Sequence, residues 1–172
     1  MNLPTRKPTR LHGYDYNTPG AYFITICVRK RKELLSEICV GTGVLDCPQN
    51  RLTVYGKIAE RQLMRMRDFY DNIRIDNFVI MPNHIHLLIQ ITGERQFGVG
   101  PSGTPVPTNS LISRFIGTFK RFCNKAYGEN IWQSRSYDHI IRGEDDYREI
   151  WEYIDTNVLR WEEDCFYTQE RS

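Results

Sequence analysis

Residues 84–91 read His-Ile-His-Leu-Leu-Ile-Gln-Ile and follow a second apolar run, 74–81, across Pro82-Asn83. Turn residues between two such runs mark a strand–turn–strand hairpin. Side chains on a strand alternate between faces, so Ile85, Leu87, Ile89 and Ile91 cover one face and call for helices packed against it. His84 and His86 then project from the other face as neighbours. The chain must build a sheet with one greasy side and one side carrying paired imidazoles.

The remaining segments supply elements for such a sheet. Residues 22–28, β-branched and aromatic, predict a strand behind Gly20. Residues 39–50 carry Gly, Asp, Pro and Asn and predict a turn-rich connection with room for a short hairpin. Over 53–70, Ile58, Ala59, Leu63, Met66 and Tyr70 recur at helical spacing. Ser110 is placed to cap a helix over 111–127, with Leu111, Phe115, Ile116, Phe119, Cys123 and Ala126 on one face. Residues 131–142 return to a strand-like pattern, and a last helix is expected from about Asp145 to Arg160, capped by Asp145 or Asp146. The order strand–helix–strand–strand–helix–strand–helix is that of a ferredoxin-like α+β sandwich with one extra helix. All 172 residues read as one domain, interrupted by a long Gly/Pro/Ser/Thr-rich loop at 92–110 of the functional or mobile kind.

Composition narrows the class. Charged residues at 26% and aromatics at 12% exclude a disordered tail, a fibre or a disulfide scaffold. No apolar window of about 18 residues offers a membrane span, and the basic N-terminus lacks the apolar stretch of a secretory signal. Five cysteines without a CxxC pair suggest reduced thiols in a cytoplasmic protein. A zinc site from Cys39, Cys47 and His12 lacks ligand-pair spacing. Gly98-Val-Gly-Pro-Ser-Gly103 matches a dinucleotide-binding string, but Thr-Pro-Val-Pro stands where a phosphate-binding helix should begin.

Chemistry has two candidate carriers. His84 and His86 can chelate one divalent ion, or they can be half-exposed residues on the polar side of a sheet. In the last helix, Tyr147, Ile150, Trp151, Ile154 and Val158 form an apolar stripe, and Tyr153 and Asn157 lie about 40° apart on a flanking face. A tyrosine four residues before an amide can meet a common ligand. Aromatics also border apolar faces routinely, and periodicity alone singles out none of the 10 tyrosines as a nucleophile. His139, in Tyr137-Asp-His-Ile-Ile-Arg142, reads first as a structural hydrogen-bonding residue.

These residues carry a resemblance. Met81-Pro-Asn-His-Ile-His-Leu-Leu-Ile resembles the HUH signature (His, bulky hydrophobe, His) of single-tyrosine transposases. Gly13-Tyr-Asp-Tyr, Gly20-Ala-Tyr-Phe-Ile-Thr-Ile-Cys27, the run 131–142 and Tyr153-Ile-Asp-Thr-Asn157 resemble the REP-associated branch of that group. The resemblance implies a ferredoxin-like sheet carrying the histidines, with Tyr153 as nucleophile on the C-terminal helix. It implies His84, His86 and Asn157 as ligands of Mg²⁺ or Mn²⁺, although imidazoles alone suit Zn²⁺ or Ni²⁺ equally. The family commonly has Pro after the Asn; Val158 stands here and lets the helix continue.

The implied activity is metal-assisted attack by Tyr153 on single-stranded DNA beside a hairpin or palindrome, giving a 5′-phosphotyrosine, by a monomer or homodimer. Two other readings stand beside it. One is a non-catalytic nucleic-acid-binding module stacking bases on an open sheet, which would have no reason to keep the His84, His86, Tyr153 and Asn157 set. The other is a replication initiator or relaxase, which shares the HUH chemistry but for which the chain is small. The net charge of +2 conceals a split. Residues 1–32 hold seven basic and one acidic residue, 111–142 six and two, and 143–172 three and ten. Arg29, Lys30, Arg31, Lys120 and Arg121 are the candidate phosphate contacts, with salt-sensitive affinity.

Overall fold

A computed structural model describes residues 14–39, 47–93 and 110–167. The four-stranded antiparallel sheet is built from β1 (Gly20–Cys27), β4 (Ile73–Ile80), β5 (His84–Ile91) and β6 (Tyr137–Ile140), in the order β4-β5-β1-β6. A separate pair, β2 (Ser36–Cys39) with β3 (Gln49–Leu52), flanks the turn-rich connection, of which residues 40–46 lie outside the described residues. The helices are α1 (Val54–Phe69), α2 (Leu111–Tyr127) and α3 (Glu144–Thr156). Setting the β2–β3 pair aside, β1-α1-β4-β5-α2-β6 with the two central strands non-consecutive is the ferredoxin-like α+β arrangement.

Crossovers of one hand place α1 and α2 on the same face. That face presents Tyr22, Ile24 and Ile26 of β1 opposite Ile89, Leu87 and Ile85 of β5. Ala59, Leu63 and Met66 of α1 and Ile112, Phe115, Ile116 and Phe119 of α2 complete this core, all of them buried. Each Leu or Ile side chain so buried contributes about 1.5–3 kcal/mol. β4 adds Ile73 and Ile75 opposite Ile91 and Ile89, and a bulge between Ile75 and Asn77 keeps Phe78 and Ile80 on that face, opposite Leu87 and Ile85. The bulge also turns Asp76 and Asn77 toward α3, where they meet Tyr147 Oη and Asp155, both at 2.8 Å. Helix α3 thus covers the second face of the sheet.

Thr53 caps α1 and Ser110 caps α2, each hydroxyl accepting an N–H at 3.2 Å. Gly56, in the first turn of α1, passes so close to the Leu35 carbonyl that a Cβ there would collide with it.

The last helix departs from expectation at both ends. Gly143 occupies the cap position without a side-chain bond, and Asp146 instead accepts the Arg142 N–H and lies 3.0 Å from His139 Nε2. This pins β6 to α3 and gives His139 its structural role. The helix stops at Thr156 rather than Arg160, although Val158 does not forbid continuation. The chain turns into a 3-10 segment, Trp161–Glu163, because Trp161 and the Asp164 carboxyl find burial over the sheet. The expected stripe is also rotated. Trp151 is exposed, whereas Ile154 and Asn157 are buried and Tyr153 is half-buried.

Of the loop 92–110, only 92, 93 and 110 are among the described residues, so the glycine string at 98–103 lies outside them, as does His12. Cys39 and Cys47 are exposed free thiols and join no metal-binding group among the described residues. Among those residues, no helix is long and apolar enough to cross a membrane.

Candidate active site

The second face of the sheet brings Phe23, Thr25 and Cys27 of β1 opposite Leu88, His86 and His84 of β5. Both histidines are fully enclosed rather than half-exposed, at 0% and 1% accessibility. Phe23 stacks on the His86 ring at 4.9 Å, and Phe166 lies 4.6 Å from the His84 ring. Their Nε2 atoms face each other 2.9 Å apart.

The surrounding bonds dictate which nitrogen carries hydrogen. The Asn83 amide donates its Nδ2 to the Phe166 carbonyl at 2.8 Å, which leaves Oδ1 to accept from His84 Nδ1, also at 2.8 Å. His84 Nε2 is therefore a bare lone pair. His86 Nδ1 meets the Thr25 hydroxyl at 2.9 Å, a group able to donate or accept, so His86 is free to take either tautomer. Burial, reinforced by the Arg31 charge, pushes His84 down to about 3. His86 is likewise held well below its usual range by burial and by His84. Both rings are neutral and available as ligands at neutral pH.

Helix α3 and the segment after it deliver the remaining groups. Tyr153 Oη lies 3.4 Å from His86 Nε2 and donates to Asp164 Oδ2 at 3.2 Å. Burial and the adjacent Asp164 charge push the Tyr153 phenol up to about 12. Asn157 donates Nδ2 to the same Asp164 oxygen at 3.2 Å, and its buried Oδ1 has no hydrogen-bond partner among the described residues. Tyr153, Asn157, His84 and His86, which the resemblance groups together, therefore surround one point.

Asp164 is the member that sequence reasoning missed. It is one of ten acidic residues in 143–172, and no spacing distinguishes it from the other nine. His84, His86 and Asp164 offer ligand atoms that all lie within 4.8 Å of one another. Two neutral imidazoles, a carboxylate and an orphaned amide oxygen are a donor set that fits a divalent cation.

The basic candidates separate. Arg29, Lys30 and Arg31 form a tight turn just past β1, with Lys30 and Arg31 at positive φ (55° and 53°). Arg31 donates to the Cys165 carbonyl at 2.8 Å and sits over the Phe166 ring, so this turn borders the site. Lys120 and Arg121 lie on α2, the far side of the sheet. The Lys120 ammonium faces the carbonyls of Gln133, Ser134 and Arg135, the first at 2.8 Å, and burial draws it down to about 8. It holds that loop in place rather than presenting a charge to solvent.

No family model matches the chain. An uncharacterized protein of Haemophilus influenzae is 34% identical over 174 residues, spanning 94% of this chain and 93% of that one. A REP-associated tyrosine transposase of Escherichia coli is 23% identical over 145 residues, 84% of this chain and 70% of that protein. A solved structure of a REP-associated tyrosine transposase bound to a REP hairpin superposes with a TM-score of 0.59 at 21% identity, covering 88% of this chain and 74% of that chain. The chain thus belongs to one family with the Haemophilus influenzae protein, resembles REP-associated tyrosine transposases in sequence, and has their α+β fold.

Proposed function

We propose that the protein is a metal-dependent, transposase-type nuclease and strand transferase of single-stranded DNA, with Tyr153 as nucleophile. The observation that carries this reading is the meeting of Tyr153 Oη with His86 Nε2 and Asp164 Oδ2, between two neutral imidazoles and the Asn157 amide. The solved relative is a complex with a REP hairpin, which favours hairpin-bearing DNA as the substrate here.

His84 and His86, with Asn157 as the expected third member, would hold Mg²⁺ or Mn²⁺. What a bound divalent cation supplies is an offset to the phosphate charge, and with it a more electrophilic phosphorus. The protein's own contribution is position. Phe23, edge-on to Tyr153 at 5.9 Å, keeps the phenol over the sheet. As the Tyr153 oxygen bonds to phosphorus, the bond from phosphorus to the 3′ oxygen breaks. The phenolic proton ends on that oxygen, leaving a 5′-phosphotyrosine and a free 3′-OH. The ester bond is kept in the protein linkage, so a second DNA end can resolve it without an external energy source.

A binding module on the same platform would stack bases on an open sheet. Here the face that could do so is covered by α3, and Phe23 is engaged by His86 and Tyr153. The test is incubation with Mn²⁺ and a hairpin-bearing single-stranded oligonucleotide, followed by denaturing electrophoresis. A covalent band of slower mobility is expected, and it should vanish in Tyr153→Phe while DNA binding persists. A band that survives the substitution overturns the assignment.

A further inference from the structure

We propose that Asp164 is a protein ligand of the cation held by His84 and His86, forming a two-histidine, one-carboxylate centre in which Asn157 orients the carboxylate. The proposal rests on the metal-dependent reading above and gives Asp164 the third ligand position there expected of Asn157.

Four observations converge. Asp164 Oδ2 lies 3.9 Å from His84 Nε2 and is the common acceptor for Tyr153 and Asn157. The carboxyl side chain is only 1% exposed. A buried carboxylate is costly unless a positive charge answers it. Among the described residues, the ionisable group in ion-pair range is His84, itself a candidate ligand, and the hydrogen bonds to the carboxyl come from uncharged groups, among them the Tyr153 hydroxyl, the Asn157 amide and the Phe166 N–H.

The placement is rigid. Oδ1 accepts the Phe166 N–H at 2.7 Å, and the adjacent Cys165 carbonyl is tied to Arg31. Oδ2 is left aimed at the histidines. Asn157 turns its donor end, not its oxygen, toward this carboxylate, which is how an outer partner fixes a ligand's orientation.

Charge and ligand hardness give the arrangement its purpose. Two imidazoles and an amide would leave a divalent ion's full double charge buried. One carboxylate halves that charge and still leaves a net positive centre for an anionic phosphodiester. Imidazoles alone favour Zn²⁺ or Ni²⁺, whereas a carboxylate oxygen moves the site toward Mn²⁺ or Mg²⁺.

The test is metal binding by the full chain, with Mn²⁺ followed by the electron paramagnetic resonance of the free ion and Ni²⁺ by calorimetry. Asp164→Asn retains an acceptor for the Phe166 N–H, and thermal unfolding checks its fold. Outer partners alone are worth about 10–100-fold in affinity, so Asp164→Asn should weaken Mn²⁺ binding by at least about tenfold. Ni²⁺ binding should change by less than about threefold. Asp164→Glu should recover part of the Mn²⁺ affinity, whereas His86→Ala should lose both ions. Asp164→Ser supplies the same comparison if the Asn variant does not fold. Mn²⁺ affinity within about twofold of wild type in a folded Asp164 variant, with His86→Ala defective, overturns the role of Asp164 alone. A wild-type chain that binds neither ion overturns this proposal together with the metal-dependent reading.

Discussion

Thr25 and His86 face each other across the β1–β5 pair, with the threonine hydroxyl 2.9 Å from Nδ1. Because a hydroxyl both donates and accepts, this contact lets His86 exchange tautomers: Nε2 carries the hydrogen shared with His84, or gives it up and becomes a ligand. His84 has no such freedom, since the Asn83 oxygen only accepts. Thr25→Val keeps the shape and removes the hydroxyl. It should lower Mn²⁺ affinity about tenfold or more, as loss of an outer partner does. Metal titration of a variant whose circular dichroism is unchanged checks this.

Lys120 gives a stability signature at alkaline pH. The native group loses its proton near 8, whereas the unfolded lysine holds one to about 10.4. The unfolded state therefore binds more protons in that window, and Lys120 makes stability rise between the two values. Cys27 and Cys123, whose thiols burial pushes up to about 11 and about 12, act in the opposite sense. The lysine contribution is accordingly the difference between wild type and Lys120→Met in urea midpoints from pH 7 to 10, with the variant lacking the rise.

Gly56→Ala should destabilise by about 1–3 kcal/mol, because the new methyl meets the Leu35 backbone rather than a side chain that could move. Gly117, in the interior of α2, has open space at its Cβ position, so Gly117→Ala should instead stabilise by about 0.5–1 kcal/mol. Equilibrium urea unfolding separates the two signs.

Lys30, exposed in the turn bordering the site, is the stronger phosphate candidate of the two lysines. Lys30→Ala should weaken DNA binding similarly across sequences and reduce the slope of log affinity against log salt by about 1. Lys120→Met should leave that slope within error, because its ammonium faces backbone carbonyls. Fluorescence anisotropy over a salt series reads both.

Local pattern was strong wherever one face of an element had to be apolar. Helix α2 follows the Ser110 cap and its periodicity to the residue, and β5 follows its alternation. The pattern failed in α3, where the expected stripe placed Tyr153 and Asn157 beside the packed face. The sheet face they pack against carries Thr25, His84 and His86 beside Phe23 and Leu88, so a partly polar site takes the place of a purely hydrophobic core as their partner. Hydropathy does not register that exchange.

The sequence by itself determined the ferredoxin-like order of elements, the shared face of His84 and His86, and through resemblance the association of Tyr153 and Asn157 with them. Tertiary structure decided the rest. It chose one carboxylate among ten, locked one histidine's tautomer through Asn83, and assigned Lys120 to a loop and the Arg29–Arg31 turn to the site's border. Short-range periodicity reports which way a side chain points. Asp164 and His84 stand 80 positions apart in the chain, and only the turn after Thr156 brings the carboxylate over the sheet.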